Sequence, residues 1–226
     1  MTAIDKILSV AMGEDRKTLS EYESTGLLNG FGIPTVQAVF AKTLEEVKRA
    51  AREIGYPVVL KICSPEVSHK TEKGLVALGL RTEADLEQAF QRISGVSSVT
   101  SGGFLVQEMI TGERELVMGL IRDPQFGPCV MFGLGGIFTE ILGDVSFRPA
   151  PLSESDAKEM IEEIKGHKIL GAVRGMEAVD SNMLIRCLIA LGRIGVEREE
   201  IAAIDVNPLI VQGNRPVAVD ALVLLQ

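Results

Sequence analysis

The sequence predicts a mixed α/β (α+β) protein built in two lobes. Three observations carry this. Helical and strand-like runs alternate through the first hundred residues. From 103 onward strand-like runs dominate, until helical patterns resume after 153. Between these regimes, 94–103 (SGVSSVTSGG) is small and polar, the composition of a junction or flexible loop. The expected division is an N-terminal arm at 1–19, a first lobe at 20–102 and a second lobe at 103–226.

Helix starts are marked by side chains that satisfy orphan backbone N–H groups. Ser20-x-x-Glu23 and Thr43-x-x-Glu46 fit the capping box, and Thr82 and Ser153 are each followed three residues on by Asp. After Thr43 the apolar positions are Leu44, Val47, Ala51 and Ile54, and Gly55 stops the helix. After Thr82 they are Leu86, Ala89, Phe90 and Ile93. After Ser153 they are Ala157, Met160, Ile161 and Ile164. A longer helix is expected after Asp180, with Met183, Leu184, Cys187, Leu188 and Leu191 inward. Strands are expected at 36–40, 57–62, 75–80, 104–108, 115–121, 129–132, 201–211 and 216–224.

Composition narrows the function. Apolar residues are 46% and charged residues 24%, ordinary globular usage, and the formal net charge is −8. That balance argues against a general nucleic-acid binder or a binder of anionic membranes. The longest uncharged run, 124–139, holds two Pro and four Gly and is too short to span a bilayer. No signal peptide is legible, so a cytoplasmic location is expected. The three cysteines are widely spaced, form no CxxC pair, and read as reduced, buried thiols.

The last forty residues carry the sharpest signal. Two strand-like runs flank Gly213-Asn214, a turn-forming pair. A hairpin centred there places Asn207 directly opposite Asp220, where an amide oxygen and a carboxylate could share one Mg²⁺. Asp205 falls on the same face as Asn207. The competing reading is the polar outer face of an amphipathic hairpin, and a bulge at Pro208 would shift the register. Lys61 interrupts the apolar run Val58-Val59-Leu60-Lys61-Ile62 and needs a partner or an anionic ligand, unless it snorkels at the strand end. His69 lies in Ser68-His69-Lys70-Thr71-Glu72-Lys73, a loop rich in proton-carrying and cationic groups; a plain surface loop is the alternative. Gly133-Leu134-Gly135-Gly136 suits either a phosphate approached by backbone N–H groups or a tight turn.

Taken in order, several motifs resemble one family. They are Gly32-Ile33-Pro34, Gly55-Tyr56-Pro57-Val58-Val59-Leu60-Lys61, Ser68-His69-Lys70, Val106-Gln107-Glu108-Met109, Arg122-Asp123-Pro124-Gln125-Phe126-Gly127-Pro128, Phe132-Gly133-Leu134-Gly135-Gly136, Arg174-Gly175 and Asp205-Val206-Asn207-Pro208-Leu209. Over about 20–226 the chain resembles the beta subunit of ADP-forming acetate–CoA ligase, an ATP-grasp domain related to the succinyl-CoA synthetase beta chain.

The resemblance implies a two-lobed ATP-grasp fold with ATP or ADP held between the lobes. Lys61 and Lys70 would serve the nucleotide, Lys61 on its phosphates, with Gly135 and Gly136 in the glycine turn. Glu108, Met109 and Ile110 would form the hinge that meets adenine, and Glu115 would reach the ribose or the phosphates. Asn207 and Asp220 would ligate Mg²⁺. His69 would carry a phosphoryl group, and Asp205 would help receive a phosphohistidine. The implied reaction is acyl-CoA + ADP + Pi ⇌ acid + CoA + ATP, shared with a CoA-binding alpha subunit in an alpha2beta2 assembly. One departure is visible: the family has Gly-Gly-Val where this chain has Gly74-Leu75-Val76. A self-sufficient ATP-grasp carboxylate ligase and a non-catalytic nucleotide-sensing module are the two competing readings.

Overall fold

A computed structural model describes residues 2–65, 74–96, 102–136 and 143–226. The chain forms two compact units, one of Thr18–Glu23 with Val36–Met109, the other of Met1–Lys17, Ser24–Thr35 and Ile110–Gln226.

The smaller unit is built on an antiparallel sheet in the order β1-β4-β2-β3, from β1 (Ala38–Ala41), β2 (Val58–Cys63), β3 (Val76–Leu80) and β4 (Gly103–Glu108). Two helices pack on it, α3 (Leu44–Ile54) and α4 (Glu83–Val96). The capping box of α3 is complete: Thr43 Oγ1 accepts from the Glu46 N–H, and the Glu46 carboxylate accepts from the Thr43 N–H. Gly55 ends the helix at φ 93°, a conformation that disfavours a side chain. The inward stripe Val47, Ala50 and Ala51 meets Leu60, Ile62, Leu86, Ile93 and Val106 in one apolar core.

The larger unit carries a six-stranded antiparallel sheet. Its path is β10 (Ala221–Leu225), β8 (Ile201–Gln212), β5 (Glu115–Asp123), β6 (Gly127–Leu134) and β7 (Val145–Pro149), and β9 (Arg215–Ala218) also pairs with β8. Helices α5 (Glu154–Glu163) and α6 (Ser181–Glu197) pack against β5, β6 and β7. The fully buried Leu116, Met118, Leu120, Val130 and Phe132 belong to this core, with Leu184, Leu188, Leu191 and Ile194 of α6. The Ser153–Asp156 capping box and the Asp180 cap sit where the sequence places them.

Three expectations are corrected. The arm at 1–19 is not an arm: α1 (Ala3–Gly13) buries Leu8 and Ala11, is capped reciprocally by Thr2 and Asp5, and belongs to the larger unit. The expected boundary at 102/103 falls at 109/110, because β4 lies between β1 and β2 with Leu105 and Val106 fully buried. The run 216–224 is two strands, β9 and β10, divided at Val219-Asp220. A strand the patterning missed, β7, borders β6. Leu75, where the family has glycine, is buried, and its carbonyl accepts from the Ile62 N–H at 3.1 Å, while Gly74 alone takes the positive φ of 68°. Among the described residues no helix is long and apolar enough to cross a membrane.

Two outcomes follow from these environments. The Thr2 backbone N–H, its hydroxyl and the Arg198 guanidinium hold the Asp5 carboxyl down to about 2. The folded form is thus more acidic than the unfolded one, so its contribution is complete above about pH 4 and fades toward pH 2. Asp5→Asn is expected to melt below wild type at pH 7, with a deficit that closes across that window in circular-dichroism melts. All three thiols are buried, and burial pushes Cys187 up to about 12. Native protein is expected to give no fast reaction with a thiol reagent such as DTNB at pH 8, and three equivalents after unfolding.

Candidate functional site

The site begins with the register of β8. On one side Leu209 faces Ala218, Ile210 faces Val217, and Val206 faces Ala221. The register is continuous through the gap, and the Asn207 N–H donates to the Asp220 carbonyl at 3.3 Å. Asn207 and Asp220 are therefore direct cross-strand neighbours, as the hairpin arithmetic expects. The slip at Pro208 lies on the other side. Against β5, Leu116 faces Leu209 but Met118 faces Val206, so β8 holds one extra residue there. Burial follows the slip. Ile204, Val206, Leu209 and Val211 are buried, whereas Asp205 and Asn207 are exposed. Both polar residues face away from the helices.

Glu115 opens β5 opposite Ile210 on that same face. Its carbonyl accepts the Gly135 N–H at 2.7 Å. A Cβ on Gly135 would stand 2.8 Å from the Glu115 carbonyl carbon, and Gly136 takes φ +62° with the Glu115 carboxylate beside it. The glycines are thus required by close approach and by backbone sign. Glu113, Arg114, Glu115, Gly135, Gly136 and Ile169 are among the residues lining a cavity of about 300 Å³, the lower end of small-ligand sites.

Arg114 fixes one wall of that cavity. It is 3% exposed, and its guanidinium donates to four backbone carbonyls, of Ile169 (3.4 Å), Gly171 (3.3 Å), Glu177 (2.8 Å) and Gly213 (3.0 Å). One side chain thereby holds the 169–177 segment and the β8–β9 turn against the start of β5.

Asp205 sits beside an apolar groove formed by Ile121, Met131, Phe147, Leu222 and Leu224. Its side chain reaches solvent, yet these neighbours strip water from the carboxyl and push its pKa above the ordinary carboxylate value. A carboxyl displaced in this way marks a candidate functional group.

In the smaller unit, Lys61 is 5% exposed and its Nζ lies 2.7 Å from Glu21 Oε1. The expected hinge coincides with the passage between units at Met109-Ile110. Two of its N–H groups are engaged: Glu108 donates to the Gln37 carbonyl at 3.0 Å and Met109 to the Pro57 carbonyl at 3.3 Å. The Glu108 carboxylate accepts the Gln37 N–H. His69 and Lys70 lie outside the described residues. The sequence reading missed Glu21 and Arg114. Glu21 stands beside the Ser20–Glu23 cap and Arg114 stands between Glu113 and Glu115, but burial alone distinguishes each from a surface charge.

Among the described residues no group of three or more His, Cys, Asp or Glu side chains could hold a metal by itself. Mg²⁺ keeps most of its waters and takes one or two protein oxygens plus phosphate. The Asn207–Asp220 pair offers such a donor set.

The Arg114 arrangement has a direct test. Arg114→Met keeps the stem and leaves four backbone carbonyls without their donor. The expected loss is about 3 kcal/mol or more of unfolding free energy in urea melts. A loss below about 1 kcal/mol would mean the guanidinium holds nothing.

Comparison with known proteins gives the same frame. A family model described as an ATP-grasp domain matches residues 10–225. The chain is 40% identical over 225 residues to the acetate–CoA ligase [ADP-forming] I subunit beta of Pyrococcus furiosus, covering 97% of each. It superposes on an acetyl-coenzyme A synthetase 1 chain of Candidatus Korarchaeum cryptofilum, in complex with coenzyme A and Ca-AMPCP, with TM-score 0.94, 46% identity and full coverage of both. A second structure of that enzyme holds coenzyme A and Mg-AMPPCP, with its phosphohistidine segment pointing towards the nucleotide-binding site (TM-score 0.89, 46% identity, 99% and 100% covered). The chain thus belongs to the ATP-grasp domain family, among the beta subunits of ADP-forming acetate–CoA ligases.

Proposed function

We propose that this chain is the nucleotide-binding subunit of an ADP-forming acyl-CoA synthetase, which converts acyl-CoA, ADP and Pi to acid, CoA and ATP. The observation that carries the reading is the face of the larger sheet. There a tight glycine turn, Glu115, Asn207, Asp220 and an Asp205 of raised pKa are collected opposite the helix-covered core. Phosphoryl transfer asks little covalent work of a protein beyond positioning and charge neutralisation, and these groups are of that kind.

Glu115 and the Gly135-Gly136 turn bind the nucleotide, and Lys61 and Lys70 serve its phosphates. Glu108, Met109 and Ile110 meet the base; with two N–H groups already engaged, side-chain packing and carbonyls carry much of that contact. Asn207 and Asp220 would hold Mg²⁺, which would supply positive charge against the phosphates. His69, in the Ser-His-Lys motif, takes the phosphoryl group from a phosphohistidine of the partner. The P–N bond to the partner breaks as the P–N bond to His69 forms. An ADP β-phosphate oxygen then displaces His69. Asp205 steadies the incoming imidazolium. The partner is a CoA-binding alpha subunit, two copies with two of this chain, and the reduced, buried thiols suit the cytoplasm.

The test is reconstitution with a CoA-binding partner. Asp220→Asn and Asn207→Ala are each expected to lower the rate of ATP formation by about a hundredfold or more, with unfolding temperatures near wild type. Incubation with Mg·[γ-³²P]ATP is expected to put an acid-labile, base-stable label on this chain, absent in His69→Ala. ATP formation that persists in His69→Ala would place the phosphoryl route elsewhere. Binding of nucleotide without turnover by any partner would favour a sensing module.

A further inference from the structure

The segment Thr18–Glu23 is separated in sequence from the rest of the smaller unit, yet it is fastened to β2 and to the residues just after it. Thr18 Oγ1 donates to the Pro65 carbonyl at 2.7 Å, and Glu21 Oε1 meets Lys61 Nζ at 2.7 Å. The start of α2 (Glu21–Gly30) is set by Ser20: its N–H donates to the Glu23 carboxylate at 2.8 Å, and its hydroxyl accepts from the Glu23 N–H at 3.4 Å. The Tyr22 ring lies 6.0 Å from that of Phe40. These contacts fix the direction in which Glu21 leaves the helix.

The burial of the pair is unusual. An acid in the first turn of a helix is ordinarily a solvated side chain that complements the dipole. Here the Glu21 side chain is 1% exposed and that of Lys61 6%. Taking two charges out of water costs several kcal/mol apiece, and their attraction offsets this only when geometry is good. A core needing stability alone is better served by apolar residues of the same volume. Each flanking position of β2 is filled by one: Val59, Leu60 and Ile62 are all buried. The retained pair therefore calls for a use of the lysine that a leucine would not meet.

We propose that Glu21 is the positioning residue for Lys61. It holds the ammonium in one rotamer for the polyphosphate of the nucleotide. Lysine on its long stem is otherwise a mobile point charge. A carboxylate anchored on α2 removes that freedom before the ligand arrives and lowers the entropic cost of binding. The inference rests on the reading of Lys61 as a phosphate contact, and the experiment separates the two.

Binding of Mg·ADP and of adenosine to the full chain is measured by calorimetry for wild type, Glu21→Gln, Glu21→Asp, Lys61→Met and Glu21→Gln/Lys61→Met, with melting curves for each. The expected result is ADP binding weaker by on the order of tenfold to a hundredfold in Glu21→Gln. Glu21→Asp, which keeps the charge on a shorter arm, falls between. The double variant is no weaker than Lys61→Met alone, and adenosine, having no phosphates, binds all variants equally. If Lys61→Met weakens ADP while both Glu21 variants bind it as wild type does, Glu21 is a structural partner only and the proposal fails. If Lys61→Met binds ADP normally, the lysine reading fails and the proposal with it. Should Glu21→Gln not fold, Glu21→Asp and the double variant, which buries no lone charge, decide the same question.

Discussion

The larger unit depends on one strand. β8 is twelve residues long, with β5 along one edge and β10 and then β9 along the other. Its two halves must each turn apolar side chains toward α5 and α6, yet a uniform alternation from Ile204 to Val211 would not bury Ile204, Val206, Leu209 and Val211 together. The extra residue at 207–208, seen only against β5, resolves the conflict. It keeps both halves apolar on the helix side and leaves Asp205 and Asn207 on the other. Because side chains alternate with period two, a one-residue error in this pairing would exchange the core with the polar face. Fold and site are thus set by the same register.

Much of this was legible in the residues, for physical reasons that can be named. The Thr43, Thr82 and Ser153 caps combine a local hydrogen bond with a helical apolar period, and local rules suffice for them. Asn207 opposite Asp220 follows from a turn at Gly213-Asn214 and simple counting, with no long-range information. What failed was everything set by distant partners. Helix α1 has only Leu8 and Ala11 buried and gains its place through the Asp5–Arg198 pair, 193 residues apart in sequence. The boundary moved to 109/110 because β4 inserts between two earlier strands, which composition cannot show. Gly102 and Gly103 look like linker, yet Gly103 begins a central strand.

The buried charges show the same division. Lys61 stood out in the sequence as a cation inside an apolar run, while its partner Glu21 looked like one more acid at a helix start. Arg114 lies between two glutamates, and nothing in the sequence sets it apart. Burial changes the chemistry of both. Arg114 spends its guanidinium on four carbonyls and becomes a strut for the cavity wall. Glu21 becomes the near neighbour of a cation that, in this reading, serves a phosphate. Two buried positive charges thus have different duties, one closing backbone and one presenting charge.

In the proposed function the Asn207–Asp220 pair holds the metal of the metal–nucleotide complex. That assignment is tested most directly by crystals of the chain grown with Mn²⁺ and a non-hydrolysable ATP analogue, with anomalous scattering used to locate the metal. The expected map has one strong peak within ligand distance of the Asn207 side-chain oxygen and the Asp220 carboxylate, shared with the phosphates. Nucleotide bound with its metal elsewhere, and this cross-strand pair touching neither, would contradict the account.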